Sequence, residues 1–310
     1  MLHIIWIYAL QYKKIKDKKM KVKDFDLSET LECGQCFNFE KLDENEYVVV
    51  AFKKALHVKQ IKNELLFLNA KEKEIENIWI PYFDLNRDYG KIKSFIKKAD
   101  PRLEPIIKEN KGIRILNQDF AETLISFIIS QQNQIPKIKR AVRALSLEKG
   151  KEIKLSKDIK NLTDSKFYAF PTLEALSQFK EEDFKNLSLG YRAPYLFDTA
   201  QKLFKKEISL NDFLDKKEKT LIPYEDAKKK LMALKGVGEK VANCVLLFSL
   251  GYREAFPVDT WIRKIMLKMY FSDNEKITNK EIEAFGKNLF GKYGGYAQQY
   301  LFIYAKNNRI

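Results

Sequence analysis

Three cysteines and two histidines are all that the 310 residues contain. Cys33, Cys36 and Cys244 are too few for a disulfide framework, and a reducing compartment fits them best. Cys33-Gly34-Gln35-Cys36 has the spacing of half a zinc site or of a redox pair. With His3 and His57 the only histidines, no second pair completes a zinc site. The flanks also lack the strand-to-helix setting of a thioredoxin-like motif, so a structural role is expected for both thiols. Long apolar runs are missing too. The apolar start, MLHIIWIYAL, is too short to span a bilayer, and no charged region precedes it as in a secretory signal. Residues 1–19 read as an N-terminal extension, either frayed or packed, or as a stretch upstream of a biological start at Met20. A soluble protein is expected, cytoplasmic or, in a eukaryote, nuclear, with no membrane partner.

A hydrophobic content of 45% and an aromatic content of 13% suit a folded globular chain. Lys and Arg number 57 against 42 Asp and Glu, a formal charge of +15. That excess favours a polyanionic partner, nucleic acid first and an anionic membrane surface second.

From Cys36 to Asn69 short β-rich runs (YVVVAF, ALHVKQI, ELLFLN) alternate with polar links at Asp43–Glu46, Lys53-Lys54 and Lys62-Asn63, the pattern of an antiparallel meander. After Lys71 the period turns helical and stays so. Phe120, Leu124, Phe127 and Ile128 fall on one helical spacing, with Asp119 and Glu122 as a capping box. Further helices are predicted around 134–147, 172–180, 191–206, 224–234, 240–250, 260–270, 278–290 and 294–306, with 211–223 a connection. The fold class is therefore α+β: a small antiparallel β-rich N-terminal domain over 20–112, then a mostly α-helical body over 113–310.

Within that body, Gly236-Val237-Gly238 ends one helical pattern and starts another. Glycines let the backbone turn tightly, and the amides of the next helix then face outward, suited to a phosphate. An ordinary packing corner would read the same way. Lys240 lies in the first turn of the second helix, and 19 residues later Asp259 stands as the N-cap of a helix carrying Ile262, Ile265 and Met266.

The whole string, L-x-x-L-x-G-V-G-x-K-V-A-x-C followed by P-V-D-T, resembles the helix-hairpin-helix glycosylase superfamily, base-excision DNA repair enzymes that flip a damaged base out of the duplex. Cluster-bearing members carry four cysteines near the C-terminus, whereas the last cysteine here is Cys244. Alkyl-base members generally lack the lysine. The resemblance is therefore to the 8-oxoguanine DNA glycosylase branch, and it extends from about Leu31 to Ala305.

It implies a role for each matching residue. Lys240 becomes the nucleophile that forms an imine with the sugar, and Asp259 the group that assists deprotonation or stabilises developing positive charge. In ECGQCFNF, Gly34 offers a carbonyl to the N–H that oxidation creates on guanine. In GGYAQQYLF, Gln298 meets the base edge and Phe302 stacks on it, with Cys244 on the other face. In SFIISQQNQIPKI, Asn133 fills the gap left by the flipped base, while Gln132 and Lys137 match positions near the opposite base. In LSLGYRAPY, Tyr191 is a wedge and Arg192 a reader of the orphaned cytosine. Three residues depart from the pattern: Gln132 for Asn, Lys137 for Arg and Trp261 where a His is usual. Lysine lacks the planar fork that reads cytosine, so strict preference for that base is in question.

The expected function is excision of 8-oxoguanine through a lysine-derived imine, followed by β-elimination at the abasic site. The expected partner is double-stranded DNA with the lesion opposite cytosine, bound by a monomer. No redox cofactor or catalytic metal is expected; the hairpin carbonyls are candidates for a monovalent cation. Two rivals stand beside this reading: a helix-hairpin-helix glycosylase with another lesion or opposite-base preference, and a non-catalytic helix-hairpin-helix DNA-binding module.

Overall fold

The computed structural model describes residues 18–155, 163–215 and 217–310. Most of the expected N-terminal extension, residues 1–17, lies outside them. Its last residue does not: Lys19 pairs with Leu66, so the ordered sheet begins one position before the expected boundary.

Lys19–Lys21 (β1), Phe39–Asp43 (β2), Glu46–Ala51 (β3), Lys54–Ile61 (β4) and Glu64–Phe67 (β5) form an antiparallel sheet in the order β1-β5-β4-β3-β2. The last four strands are the expected meander, and β1 closes its far edge. The β3–β4 turn falls on Phe52-Lys53, one residue earlier than expected, with φ of +49° and +64°. Positive φ at both central residues gives the twist that tight hairpins need. Every residue of β3 is buried. Tyr47, Val49 and Ala51 join the main core of the β domain, while Val48 and Val50 pack on the other face against Phe167. A strand covered on both faces reads as a continuous apolar run, which is what YVVVA is after Glu46, whose carboxylate meets His57 and Lys59.

Leu27–Glu32 (α1) precedes β2, and its N-cap Asp26 accepts the Glu29 amide at 2.8 Å. Tyr89–Ala99 (α2) and Leu103–Glu109 (α3) fall within the expected 20–112 stretch, yet their buried residues join the core of the helical body, which continues with Phe120–Ile129 (α4), Ile135–Lys149 (α5), Ala193–Phe204 (α6), Tyr224–Met232 (α7), Glu239–Val245 (α8), Thr260–Tyr270 (α9), Asn279–Phe290 (α10) and Gly294–Asn307 (α11). α8 runs on as a wider π-helical turn, Leu246–Leu250, and ends at Gly251 with φ +85°.

Helical periodicity does not persist all the way after Lys71. Two short ribbons interrupt it, Glu152–Ile153 with Phe167–Tyr168 and Leu214–Asp215 with Thr220–Leu221. Two-residue strands are too short to leave an alternating signature in sequence. The capping box at α4 is also only half formed. Asp119 accepts the Glu122 amide at 3.0 Å, but the Glu122 carboxylate turns away to accept from Asn38 at 3.3 Å. Among the described residues, no helix is long and apolar enough to cross a membrane.

Candidate active site

A cleft of about 950 Å³ opens where the β domain meets the helical body. The hairpin between α7 and α8 forms one lip. Gly236 takes φ +73°, and a Cβ there would lie 2.3 Å from the Tyr195 ring, so both conformation and space demand glycine. Val237 is buried in the core. Gly238 caps α8, is exposed, and has nothing within 4 Å of the place a Cβ would occupy.

Lys240 follows in the first turn of α8 and points into the cleft. Its Nζ donates to Ser130 Oγ at 2.9 Å and lies 5.1 Å from the centre of the Phe127 ring. Ser130 caps the end of α4 and donates its own proton to the Phe127 carbonyl at 2.8 Å. The amine is thus held beside the electronegative C-terminus of α4 and the face of an aromatic ring, both of which attract cations. Asp259 lines the same cleft, at the N-cap of α9, accepting the Ile262 amide at 2.8 Å. Burial raises its pKa, opposed by the Ile262 amide and by the charge of Lys240. Amine and carboxylate therefore share one electrostatic environment.

Gly34 also lines the cleft, at φ +84° in the loop after α1. Gln35, fully buried, pins that loop. Its Nε2 donates to the Thr30 and Arg114 carbonyls at 2.9 and 2.7 Å, and its Oε1 accepts the Leu116 amide at 2.8 Å. A Cβ on Gly34 would meet Ile135 at 3.0 Å and Phe302 at 3.5 Å, so the Gly34 backbone is close to the Phe302 ring. Cys244 is buried one turn after Lys240 on α8, and burial pushes its thiol up to about 11. Gln298, also buried, donates to the Pro257 carbonyl at 3.1 Å and accepts from Gln299 at 2.7 Å, which fixes the amide plane.

Gln132 and Asn133 line the rim after α4, with Gln132 at φ +46°. Asn133 donates to the Ile129 carbonyl at 3.2 Å and accepts the Gln134 amide at 2.9 Å. Tyr191 is 49% exposed, as an inserting wedge requires, and its hydroxyl donates to the Gln131 carbonyl at 3.2 Å. Arg192 is only 9% exposed; its guanidinium donates to the Gln131 carbonyl at 2.9 Å and to the Gln132 carbonyl at 3.2 Å. In this state it braces the turn rather than facing outward. Lys137, exposed on the first turn of α5, Tyr191, Arg192, Gly236 and Val237 do not line the cleft.

Ser130, Gln35 and Gln299 went unassigned in the sequence. Ser130 reads as a helix cap, and Gln35 and Gln299 have no periodic signal; only their adjacency to Gly34 and Gln298 marks them. Cys33 and Cys36 are buried free thiols, the first donating to the Thr30 carbonyl and held up to about 11 by burial. Trp261 lies on the cleft wall.

A β-sheet domain joined to a helical body, with a glycine hairpin presenting a lysine into the same cleft as a capping aspartate, defines a helix-hairpin-helix protein with a lysine-bearing cleft. Residues 125–292 match the family model described as HhH-GPD superfamily base excision DNA repair protein, and the chain belongs to that superfamily. Residues 18–124 match the N-terminal domain of 8-oxoguanine DNA glycosylase. The solved Clostridium acetobutylicum 8-oxoguanine glycosylase/lyase, in complex with double-stranded DNA containing cytosine opposite the lesion, is 38% identical, with 95% of this chain and 97% of that one covered and a TM-score of 0.85. The Arabidopsis thaliana N-glycosylase/DNA lyase OGG1 is 29% identical over 92% of this chain and 78% of its own length. The Saccharomyces cerevisiae N-glycosylase/DNA lyase is 33% identical over 72% of this chain and 58% of its own.

Proposed function

We propose that the chain excises 8-oxoguanine from double-stranded DNA and cleaves the abasic strand, with Lys240 as nucleophile. One observation carries the reading: Lys240, Asp259, Gly34, Cys244, Gln298 and Phe302 line the same cleft. The neutral Lys240 amine attacks the sugar's anomeric carbon as the bond to the base breaks, and the departing base takes up a proton. The sugar ring opens to a protonated imine, and Asp259, close enough to feel the charge of Lys240, stabilises the cation that builds up. The imine acidifies the neighbouring C–H. Loss of that proton expels the 3′ phosphate, and hydrolysis of the imine returns the free amine.

Selectivity for the oxidised base rests on the Gly34 carbonyl. Guanine presents an acceptor where 8-oxoguanine presents an N–H, and two facing acceptors leave both unsatisfied. The backbone at Gly34 is held by Gln35, so it does not retreat from the mismatch. Cys244, kept neutral by burial, offers a thiol face, and Phe302 the opposite ring face.

The reaction needs neither a redox cofactor nor a metal, because side chains supply the nucleophile and the charge stabilisation. The hairpin carbonyls of Gly236-Val237-Gly238 would hold a monovalent cation, whose charge would attract a DNA phosphate and take no part in bond changes. The enzyme acts as a monomer, where the DNA is: in the cytoplasm of a prokaryote or the nucleus of a eukaryote. Cytosine is the favoured opposite base, and other bases are tolerated because Lys137 lacks a bidentate fork.

Borohydride reduction tests the reading. The chain is mixed with a duplex bearing 8-oxoguanine opposite cytosine, with an undamaged duplex, and with the Lys240→Gln variant. The expected result is a covalent adduct only for lesion DNA with the unsubstituted chain. No adduct and no base release would sink the enzyme reading for this lesion, and base release without an adduct would remove Lys240 as nucleophile.

A further inference from the structure

Beside the lesion cleft lies a second cavity of about 740 Å³, between the loop and strand at 31–41, helix α5 and the Phe167–Tyr168 strand. Gly34, Phe37, Ile135, Pro136 and Lys306 line both, so the two cavities share a wall. Apart from the shared Gly34, nothing in the chemistry above uses the second one.

Its charge is one-sided. Lys41, Lys139, Arg140, Arg143, Lys166 and Lys306 border it, against Glu32 and Glu40. Both acids are already engaged. Glu32 pairs with Lys41 at 3.1 Å and accepts from the Tyr47 hydroxyl at 2.6 Å. Glu40 pairs with Arg143 at 3.0 Å and accepts from the Thr163 hydroxyl at 2.8 Å. Among the described residues Lys139, Arg140, Lys166 and Lys306 make no salt bridge.

Lys139 is the most informative of these. It is half-buried, with its ammonium 3.6 Å from the centre of the Phe39 ring, and burial lowers its pKa. A cation partly removed from water and resting on a ring face gains strongly from an incoming anion. With the Phe39 ring carrying Lys139, half-buried Tyr168 adds an aromatic ring to the wall. Phosphates alone would suit any nucleic acid. The bases of a duplex, however, are stacked on one another and offer no faces, whereas an unpaired strand offers both phosphates and bases.

We propose that this groove is a second nucleic-acid site, which takes an unpaired DNA strand while a duplex occupies the lesion cleft. The proposal rests on the composition of the groove and not on the lesion chemistry, and its test separates the two.

A fluorescein-labelled decamer of thymidylate is titrated with the full chain, alone and with saturating undamaged duplex, with anisotropy as the readout. The oligomer is expected to bind with and without duplex at affinities within about twofold, because the sites are separate. Arg140→Ser/Lys166→Ser is expected to weaken oligomer binding by about fivefold or more and to flatten its log–log salt slope by about 1.4. Tyr168→Leu should weaken it by about threefold with the slope unchanged. Excision of 8-oxoguanine from duplex by the double variant should be unaltered. Displacement of the oligomer by duplex, or undiminished binding by the double variant, would overturn the proposal. Loss of excision in the double variant would also overturn it, by assigning the groove to the duplex-binding face, and would leave the glycosylase reading intact.

Discussion

Lys240 Nζ sits 2.9 Å from Ser130 Oγ, across a sequence separation of 110 residues. The contact joins the hairpin helix to the end of α4, and the Ser130 proton is spent on the Phe127 carbonyl. Ser130 is thus an acceptor toward the amine and fixes where it waits.

Removing that acceptor should cost rate rather than affinity. A neutral hydrogen bond is worth about 0.5–1.5 kcal/mol, so Ser130→Ala, which leaves the attacking amine without its anchor, is expected to slow single-turnover excision by about two- to tenfold. Duplex affinity should stay within about twofold, since Ser130 makes no phosphate contact in this reading. An equal loss in affinity and rate would show that Ser130 acts on the rim and not on the amine.

Asp259 has two roles that substitution can separate. Asparagine caps a helix about as well as aspartate, so Asp259→Asn should preserve stability to within about 0.5 kcal/mol, while Asp259→Ala should lose about 1 kcal/mol. Both variants should lose excision by about a hundredfold, because the carboxylate charge is gone. Burial raises the folded pKa of Asp259 above its unfolded value. The folded chain therefore holds this proton at pH values where the unfolded chain has released it, and the active carboxylate appears only as pH climbs past the folded value. The acid limb of the pH–rate profile should lie above the ordinary aspartate range and be missing from the residual activity of Asp259→Asn.

The two hairpin glycines should respond differently to one methyl group. At Gly236 an alanine meets positive φ and the Tyr195 ring together, and a loss of about 2–3 kcal/mol is expected. At Gly238 the space is open and φ is −89°, so alanine should leave the melting temperature nearly unchanged. If Gly238 is where a phosphate approaches the backbone, its alanine variant should still weaken duplex binding by about fivefold. Wild-type affinity in Gly238→Ala would return the hairpin to a packing corner.

Much of this arrangement was legible in the chain. The meander showed itself through short β-rich runs and polar links, and α9 was predicted over 260–270, where it lies. Local rules placed Lys240 and Asp259 at helix starts, and the resemblance of the string around them to the glycosylase superfamily singled them out. Ser130 and Gln35 could not, because their partners are distant: Lys240 for one, Arg114 and Leu116 for the other. The Glu122 carboxylate was misplaced for the same reason, its local capping partner losing to Asn38, 84 residues away in sequence. Local grammar identifies the residues that start helices, and tertiary contacts choose which polar groups orient them.

Arg192 offers a sharper test of opposite-base reading. With its guanidinium on the Gln131 and Gln132 carbonyls, it supports the turn that carries Asn133. Arg192→Ala removes a charged donor from both carbonyls, a loss of about 1.5–3 kcal/mol, and leaves the turn held on this side only by the Tyr191 hydroxyl on the Gln131 carbonyl. Excision should therefore fall by a similar factor whichever base lies opposite 8-oxoguanine. A loss confined to cytosine-opposed duplexes would mean that Arg192 leaves these carbonyls and reads cytosine in the complex.

Glu122 makes stability depend on pH in the unusual direction. Burial first, and then neighbouring Asp119, pushes its pKa from 4.5 up to about 8. Between those values the folded chain keeps the proton and the unfolded chain has released it, so stability falls as pH rises and levels off above the upper one. Glu122→Gln keeps an acceptor for Asn38 and carries no charge at any pH. Its melting temperature should match that of the unsubstituted chain near pH 5 and exceed it by about 3 °C or more at pH 8. Melting curves that shift in parallel across that range would show that the carboxyl ionises freely in the folded chain, and that its position against Asn38 costs nothing.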